Sequence, residues 1–141
     1  MEQVRRANAD FYAAFESLSI ERMAAVWAHD GQVCCIHPAG SLAEGWEAVR
    51  ASWAAMFANT ESIKFSVSDE RIDVRGELAW VVCVERISSV ALGARTEASS
   101  LTTNVFRRDP AGWRLVHHHA SPFVASAPRA ERTLGPRKVL N

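Results

Sequence analysis

The hydrophobic period of this chain changes once, at Asn59-Thr60, and that change constrains the fold more than any single motif. Before it, apolar residues recur every three or four positions. Val4, Ala7, Phe11, Ala14, Phe15 and Leu18 predict an amphipathic helix over 3–17. Ser19 reads as the N-cap of a shorter helix carrying Met23, Val26 and Trp27, and Gly45 opens a third with Trp46, Val49, Trp53, Met56 and Phe57 on its apolar side. After it the period is two: Ile63, Phe65 and Val67 alternate with polar residues. Arg75-Gly76-Glu77 then turns into a strand at 78–88, a looser connection at 91–94 leads into 96–108, and Asp109-Pro110-Ala111-Gly112 starts a last strand through His119. A short strand, Val33 to His37, lies among the helices and stops at Pro38, which cannot donate to a central ladder. Helices first and strands after is the α+β order.

With 141 residues, 48% of them hydrophobic, the chain can bury roughly two thirds of its unfolded surface in one core, but not two. It shows no repeat and no low-complexity linker. One domain is expected over 1–125, followed by a basic tail at 126–141, where Arg129, Arg132, Arg137 and Lys138 face only Glu131. Over the whole chain 16 Lys and Arg balance 16 Asp and Glu, which leaves no broad basic surface for nucleic acid or an anionic membrane. No apolar run approaches the 18 or so residues that span a bilayer, and the N-terminus lacks a signal-like apolar core, so the expected home is the cytoplasm. Cys34, Cys35 and Cys83 form neither a disulfide framework nor a paired zinc motif, and buried thiols are the simplest reading. There is no Gly-rich phosphate loop and no nucleophile elbow, so neither nucleotide chemistry nor covalent hydrolysis is expected.

The strand Leu78-Ala-Trp-Val-Val-Cys-Val84 is apolar on both faces. Both faces of the sheet must therefore be covered, and the helices suffice for one. A second copy of the chain is the expected cover for the other, making a homodimer.

Three helices, a short strand ending in His37-Pro38-Ala39-Gly40, the segment Glu44-Gly45-Trp46-Glu47-Ala48-Val49-Arg50, and a meander running from Phe106-Arg107-Arg108 through Trp113 to Ser121 together carry a resemblance. Over residues 3–124 the chain resembles the nuclear transport factor 2-like superfamily. Within it, the chain is similar to SnoaL-like proteins, small ketosteroid isomerases and the association domain of calcium/calmodulin-dependent protein kinase II. The resemblance implies a cone: a curved, mostly antiparallel, cystatin-like sheet wrapped around the N-terminal helices. It implies a pocket without settling an activity, since this scaffold hosts isomerases, dehydratases, cyclases and binding domains.

Set against the isomerases, the catalytic carboxylate before the Pro of an Asp-Pro-x-Gly segment is replaced by His37, and the protonated Asp that bonds the substrate carbonyl by Asn104. The oxyanion Tyr of the first helix falls on Phe11, with Tyr12 one residue along. A Phe cannot donate and an amide donates more weakly than a carboxylic acid, which argues against steroid isomerisation by that route.

His37 is the sharpest candidate. A neutral imidazole can accept and return a proton near neutral pH, although a purely structural histidine fixing the turn at Pro38 remains open. Alternation along the last strand sends His117 and His119 to one face and His118 to the other, so the three cannot share one metal. Matched to the isomerase pattern, Trp113, Leu115, His117 and His119 point into the cone, as pocket lining rather than as ligands to a metal. The isomerase register likewise turns Trp80, Val82, Val84 and Arg86 inward, giving the cavity a cation for a carboxylate. The kinase-domain register shifts by one and favours Glu85. Phe11, Phe15, Trp27, Trp53 and Trp80 are either core filling or an indole-rich lining for a planar ligand. The expected function is binding of a small organic molecule, with cofactor-free isomerisation, dehydration or cyclisation in which His37 moves the proton and Asn104 polarises an oxygen. The alternative is an association module that builds an oligomer.

Overall fold

The computed structural model describes residues 1–38 and 40–123, so the expected basic tail at 126–141 lies outside the described residues. Helix α1 (Glu2–Ser17) buries Val4, Phe11, Ala14 and Phe15 on one stripe, as the spacing requires, and adds Asn8 and Tyr12 to it. It ends at Leu18, whose backbone turns left-handed (φ 56°) and returns its N–H to the Phe15 carbonyl. Ser19 then caps α2 (Ile20–Val26), its hydroxyl accepting the Arg22 N–H at 3.2 Å.

Strand β1 (Cys34–Ile36) is followed by β2 (Leu42–Glu44), which the sequence reading missed because three residues cannot display a period. Gly45 links β2 to α3 (Trp46–Ala58) at φ 85°, a conformation strained for any residue with a Cβ.

Four long strands follow: β3 (Ser62–Arg75), β4 (Leu78–Ala91), β5 (Ala94–Asp109) and β6 (Gly112–Phe123). They pair antiparallel in chain order. The sheet order is β2-β1-β6-β5-β4-β3, with β1 running parallel to β6. The architecture is the expected α+β one, a mostly antiparallel sheet packed against the helices that precede it. α1 and α3 cover the inner face, where Phe11, Phe15, Trp53 and Phe57 meet edge to face or tilted at centroid distances of 4.7–6.1 Å.

Which residues of each strand reach that inner face is decided by register, and two bulges set it. Opposite Cys83, β3 inserts both Asp69 and Glu70 between the pairs Ser68↔Val84 and Arg71↔Val82, with Asp69 at φ 55°. On β6, Val116 is the extra residue between the pairs Phe106↔Leu115 and Val105↔His117. Leu115 and His118 are therefore both buried, whereas strict alternation would have paired Leu115 with His117. The expected inward placement of His117 and His119 is corrected on this ground: both sit on the outer face.

A second correction concerns β4. The row under the helices is Ala79, Val81, Cys83 and Glu85, all buried, and the opposite row holds Leu78, Trp80, Val82 and Arg86, all exposed. Trp80 and Arg86, expected inside, face out. The inner row is short-chained, and that leaves space for Phe11 and Tyr12 of α1, whose hydroxyl reaches Cys83 and Glu85. An indole and a guanidinium in that row would collide with the helix.

Candidate functional site

His37 follows β1 directly, with Pro38 stopping the strand. Its Nε2 lies 3.3 Å from Ser52 Oγ on α3 and 3.6 Å from Cys35 Sγ. Ser52 spends its own proton on the Val49 carbonyl at 2.7 Å, so the short contact is made by His37 Nε2–H donating to Ser52. That fixes the tautomer and leaves Nδ1 as a bare lone pair, buried and without a hydrogen-bond partner. The ring stands edge-on to Trp53 at 4.6 Å, and Trp53 Nε1 is likewise buried and unpartnered. Burial in this aromatic setting pushes the His37 pKa down to about 4.

His118 enters beside it from β6, with ring centroids 6.2 Å apart. It packs against Phe11 at 5.1 Å and Trp53 at 5.8 Å. Its Nδ1 meets Asn104 Oδ1 at 2.6 Å. Asn104 Nδ2 donates to Asn8 Oδ1 at 2.9 Å, and Asn8 Nδ2 donates in turn to the Glu70 carboxylate at 2.9 Å. A carboxylate can only accept, so each link fixes the next. Glu70 orients the Asn8 amide, Asn8 orients Asn104, and Asn104 presents its carbonyl to His118, which must donate from Nδ1. His118 is thereby held with its lone pair on Nε2. Burial first, then the neighbouring histidines, hold its pKa well below the ordinary value of 6.5.

A second branch leaves Asn104 through its other amide proton, which reaches the Tyr12 hydroxyl at 3.4 Å. Tyr12 donates to Glu85 Oε2 at 2.5 Å and lies 3.5 Å from Cys83 Sγ. Burial raises Glu85, against the pull of the Tyr12 hydrogen bond, and burial with the Glu85 charge raises Tyr12. Cys83 is pushed up to about 11, chiefly by burial. Cross-strand from Glu85 and Cys83, the buried hydroxyls of Ser100 and Thr102 have no hydrogen-bond partner. Tyr12 and Glu70 also line a surface cleft of about 310 Å³ between α1 and β3, so the network reaches solvent there.

Of the residues singled out from sequence, His37, Asn104, Phe11, Phe15 and Trp53 converge on this inner face. Trp27 joins them from the end of α2, 6.5 Å from Trp53, with its own Nε1 buried and unpartnered. Trp80, Arg86, His117 and His119 do not. His117 and His119 meet edge to face, 6.3 Å apart, on the far side of the sheet. Sequence reasoning passed over His118, Asn8 and Glu70. For Asn8 a signal existed, a polar residue on the apolar stripe of α1; for His118 and Glu70 none did, because bulges place them. Both amide protons of Asn104 are engaged by side chains. Among the described residues no three His, Cys, Asp or Glu side chains converge in a way that could hold a metal ion, and no helix is long and apolar enough to cross a membrane.

The chain belongs to the SnoaL-like domain family, which matches residues 4–126. A plant relative, the F-box protein SKIP8 of Arabidopsis thaliana, is 31% identical over 117 residues, covering 83% of this chain and 48% of the relative. The chain thus spans about half the length of that curated relative. Among solved structures, a candidate dehydratase of the nuclear transport factor 2-like family from Streptomyces avermitilis superposes with a TM-score of 0.82 at 38% identity, over 88% of this chain and 97% of the other. A candidate calcium/calmodulin-dependent protein kinase type II association domain from Thiobacillus denitrificans is also 38% identical, with a TM-score of 0.73 over 84% and 93% of the two chains. The nuclear transport factor 2-like membership expected from the sequence is therefore established, with relatives on both the enzymatic and the associating side.

Proposed function

We propose that this is a small-molecule-binding protein whose cone holds one mostly apolar organic molecule and, on a suitable substrate, moves a proton without a cofactor, in isomerisation, dehydration or cyclisation. The observation that carries the reading is His37 Nδ1, a buried lone pair with no partner. A protein does not ordinarily bury an acceptor without satisfying it, so the position is explained by a guest. In this reading His37 is the base that accepts the proton and the acid that returns it, while Phe11, Phe15, Trp27 and Trp53 enclose the apolar part of the guest. Asn104 serves as a positioning residue for His118 rather than as the donor to a substrate oxygen. A rate that depends on His37 as base is constant at neutral pH and falls in acid as the imidazole protonates near pH 4. The 38% identity to a candidate dehydratase supports this side.

The second reading, assembly into at least a homodimer, is favoured by a different observation. Leu78, Trp80, Val82 and Leu101 are 46%, 37%, 37% and 53% exposed on one contiguous outer face. Relatives at 38% and 26% identity include an association domain and a kinase hub. The two readings are compatible, since they use opposite faces. Three unpaired cysteines support a reducing compartment, the cytoplasm.

Native mass spectrometry of wild type beside His37→Ala tests both. A dimer carrying an organic adduct that weakens in the variant is the expected result. An empty cone in both, in a larger assembly, would replace the binding protein with an association module.

A further inference from the structure

The outer face of the sheet carries two histidines that the proposed proton chemistry does not use. We infer that acid dissolves the assembly of this chain, because the contact between two copies covers His117 and His119 and holds them without charge. This rests on the reading that the outer face joins copies of the chain, and it adds a control to that contact.

The first support is the area that a stable contact needs. A specific interface buries about 800 Å² on each partner. The exposed apolar side chains Leu78, Trp80 and Val82 of β4 and Leu101 of β5 lie on two adjacent strands, and strands stand only about 4.8 Å apart. The contact therefore extends over a third strand, to one side or the other.

The neighbours decide which side. On the same face β3 offers Lys64, Arg71, Asp73 and Arg75, cross-strand from Ser88, Val82, Trp80 and Leu78. Asp73 and Arg75 form a solvated ion pair at 3.0 Å. Covering these charges with an apolar patch would strip their water and return nothing for it. On the other side β6 offers His117, His119 and Phe123, cross-strand from Val105, Thr103 and Ser99. Phe123 is itself 37% exposed. An imidazole sheds its charge by giving up a proton near neutral pH, which an ammonium or a guanidinium does not do. The contact thus runs over β4, β5 and β6.

The second support is what surrounds the two rings. They meet edge to face, 6.3 Å apart, so a charge on one opposes a charge on the other. Their cross-strand partners are Val105 and Thr103 on β5, and Cys34 and Ile36 on β1. At the ends of these two rows stand Glu44 on β2, beyond Cys34, and Asp73 and Arg71 on β3, beyond Trp80 and Val82. Arg107, cross-strand from Leu78, is already ion-paired with Asp30 at 2.7 Å. No carboxylate is cross-strand from either ring to steady an imidazolium. Burial first, then His119, already lowers the His117 pKa from the ordinary 6.5. A second copy laid over the pair removes more water and favours the neutral rings further. The coupling is reciprocal, so protons on the rings loosen the copies.

The test is sedimentation of the full chain at about pH 7.5 and about pH 5.5, either side of the ordinary histidine range. Near-ultraviolet circular dichroism of the same samples reports the fold. The wild type is expected to assemble at the higher pH. At the lower it should hold itself about tenfold or more less tightly, since an ordinary histidine one unit below its pKa is about ten to one protonated. The dichroism should not change, and His117→Gln with His119→Gln should assemble alike at both pH values. A wild type that is monomeric at both removes the assembly reading and the inference with it. One that assembles equally at both leaves the assembly standing and removes the acid control. Dissociation that persists in the double variant, or that comes with loss of the dichroism, assigns the effect to other groups or to unfolding and overturns the inference. A second measurement needs no variant: titration of 15N-labelled histidine in dilute and concentrated wild type. Assembly should lower the pKa of both rings, and rings that titrate alike at the two concentrations would overturn the proposal.

Discussion

The two faces of the sheet are built from the same strands and have opposite characters. On β4 the inner row, Ala79, Val81, Cys83 and Glu85, is at most 1% exposed, while the outer row begins Leu78, Trp80 and Val82 at 37–46%. The inner face combines aromatic packing with a continuous polar network, and it also holds the buried polar atoms without a partner, on Trp27, His37, Trp53, Ser100 and Thr102. The outer face carries large apolar side chains and, among the described residues, no comparable network. The difference teaches that apolarity alone does not locate a site: the outer face is the more hydrophobic to solvent, yet the unsatisfied chemistry is inside.

The strongest way to break this comparison is Trp53→Ala. It empties the centre of the inner face and should cost about 3–5 kcal/mol in denaturant unfolding. A loss below about 1 kcal/mol would mean the inner face is not the core. Next comes Asn104→Ala, which leaves His118 Nδ1 without its partner and takes one of the partners of Asn8 and of Tyr12, at about 1–3 kcal/mol in the same assay. Its NMR signature is specific: His118 should lose its single tautomer, which a purely steric role for Asn104 would not produce.

Acid sharpens the contrast further. His37 and His118 have folded-state pKa values below the ordinary 6.5, so between about pH 6.5 and 4 the unfolded chain binds more protons. Stability present above that window is lost as pH falls through it, by up to about 1.4 kcal/mol per pH unit for each histidine. Glu85 acts in the opposite sense, since its raised pKa favours the fold while protonated and this contribution fades as pH rises past 4.5. Denaturant melts at stepped pH should slope downward into acid, and His37→Asn should flatten the slope. The smallest effect on the fold is expected on the other face. Val82→Glu with Leu101→Glu should change monomer stability by about 0.5 kcal/mol or less, yet halve the assembly mass in sedimentation. A wild type that sediments as a monomer would remove the outer face as an interface.

Much of this architecture was legible in the residues. The change of period at Asn59-Thr60 separates the helices from the four long strands, and the spacing of Val4, Phe11, Ala14 and Phe15 marks the buried stripe of α1. His37 was legible because Pro38 ends its strand and fixes where it sits. β2 was not, being too short to show a pattern. The inward row of β4 was not either: with apolar residues on both faces, alternation permits two registers, and only the bulk of the helix opposite chooses between them. His118 shows the limit most clearly. Three consecutive histidines carry no mark of which one turns inward, and the answer depends on one extra residue, Val116, which is invisible until β6 is laid against β5.

What the sequence determined by itself is the class of fold, the helical stripe, the apolar strand and the position of His37, because each follows from local periodicity and turn chemistry. What only the tertiary structure decided is the site: which histidine joins His37, which carboxylate lies inside, and which way each amide points. Those depend on strand register and on a hydrogen-bond chain whose members, Asn8, Glu70, Asn104 and His118, come from four different elements. A one-residue slip in a strand reverses every side chain, and nothing in a local pattern with two apolar faces resists that slip. The packing of α1 and α3 against the inner row does.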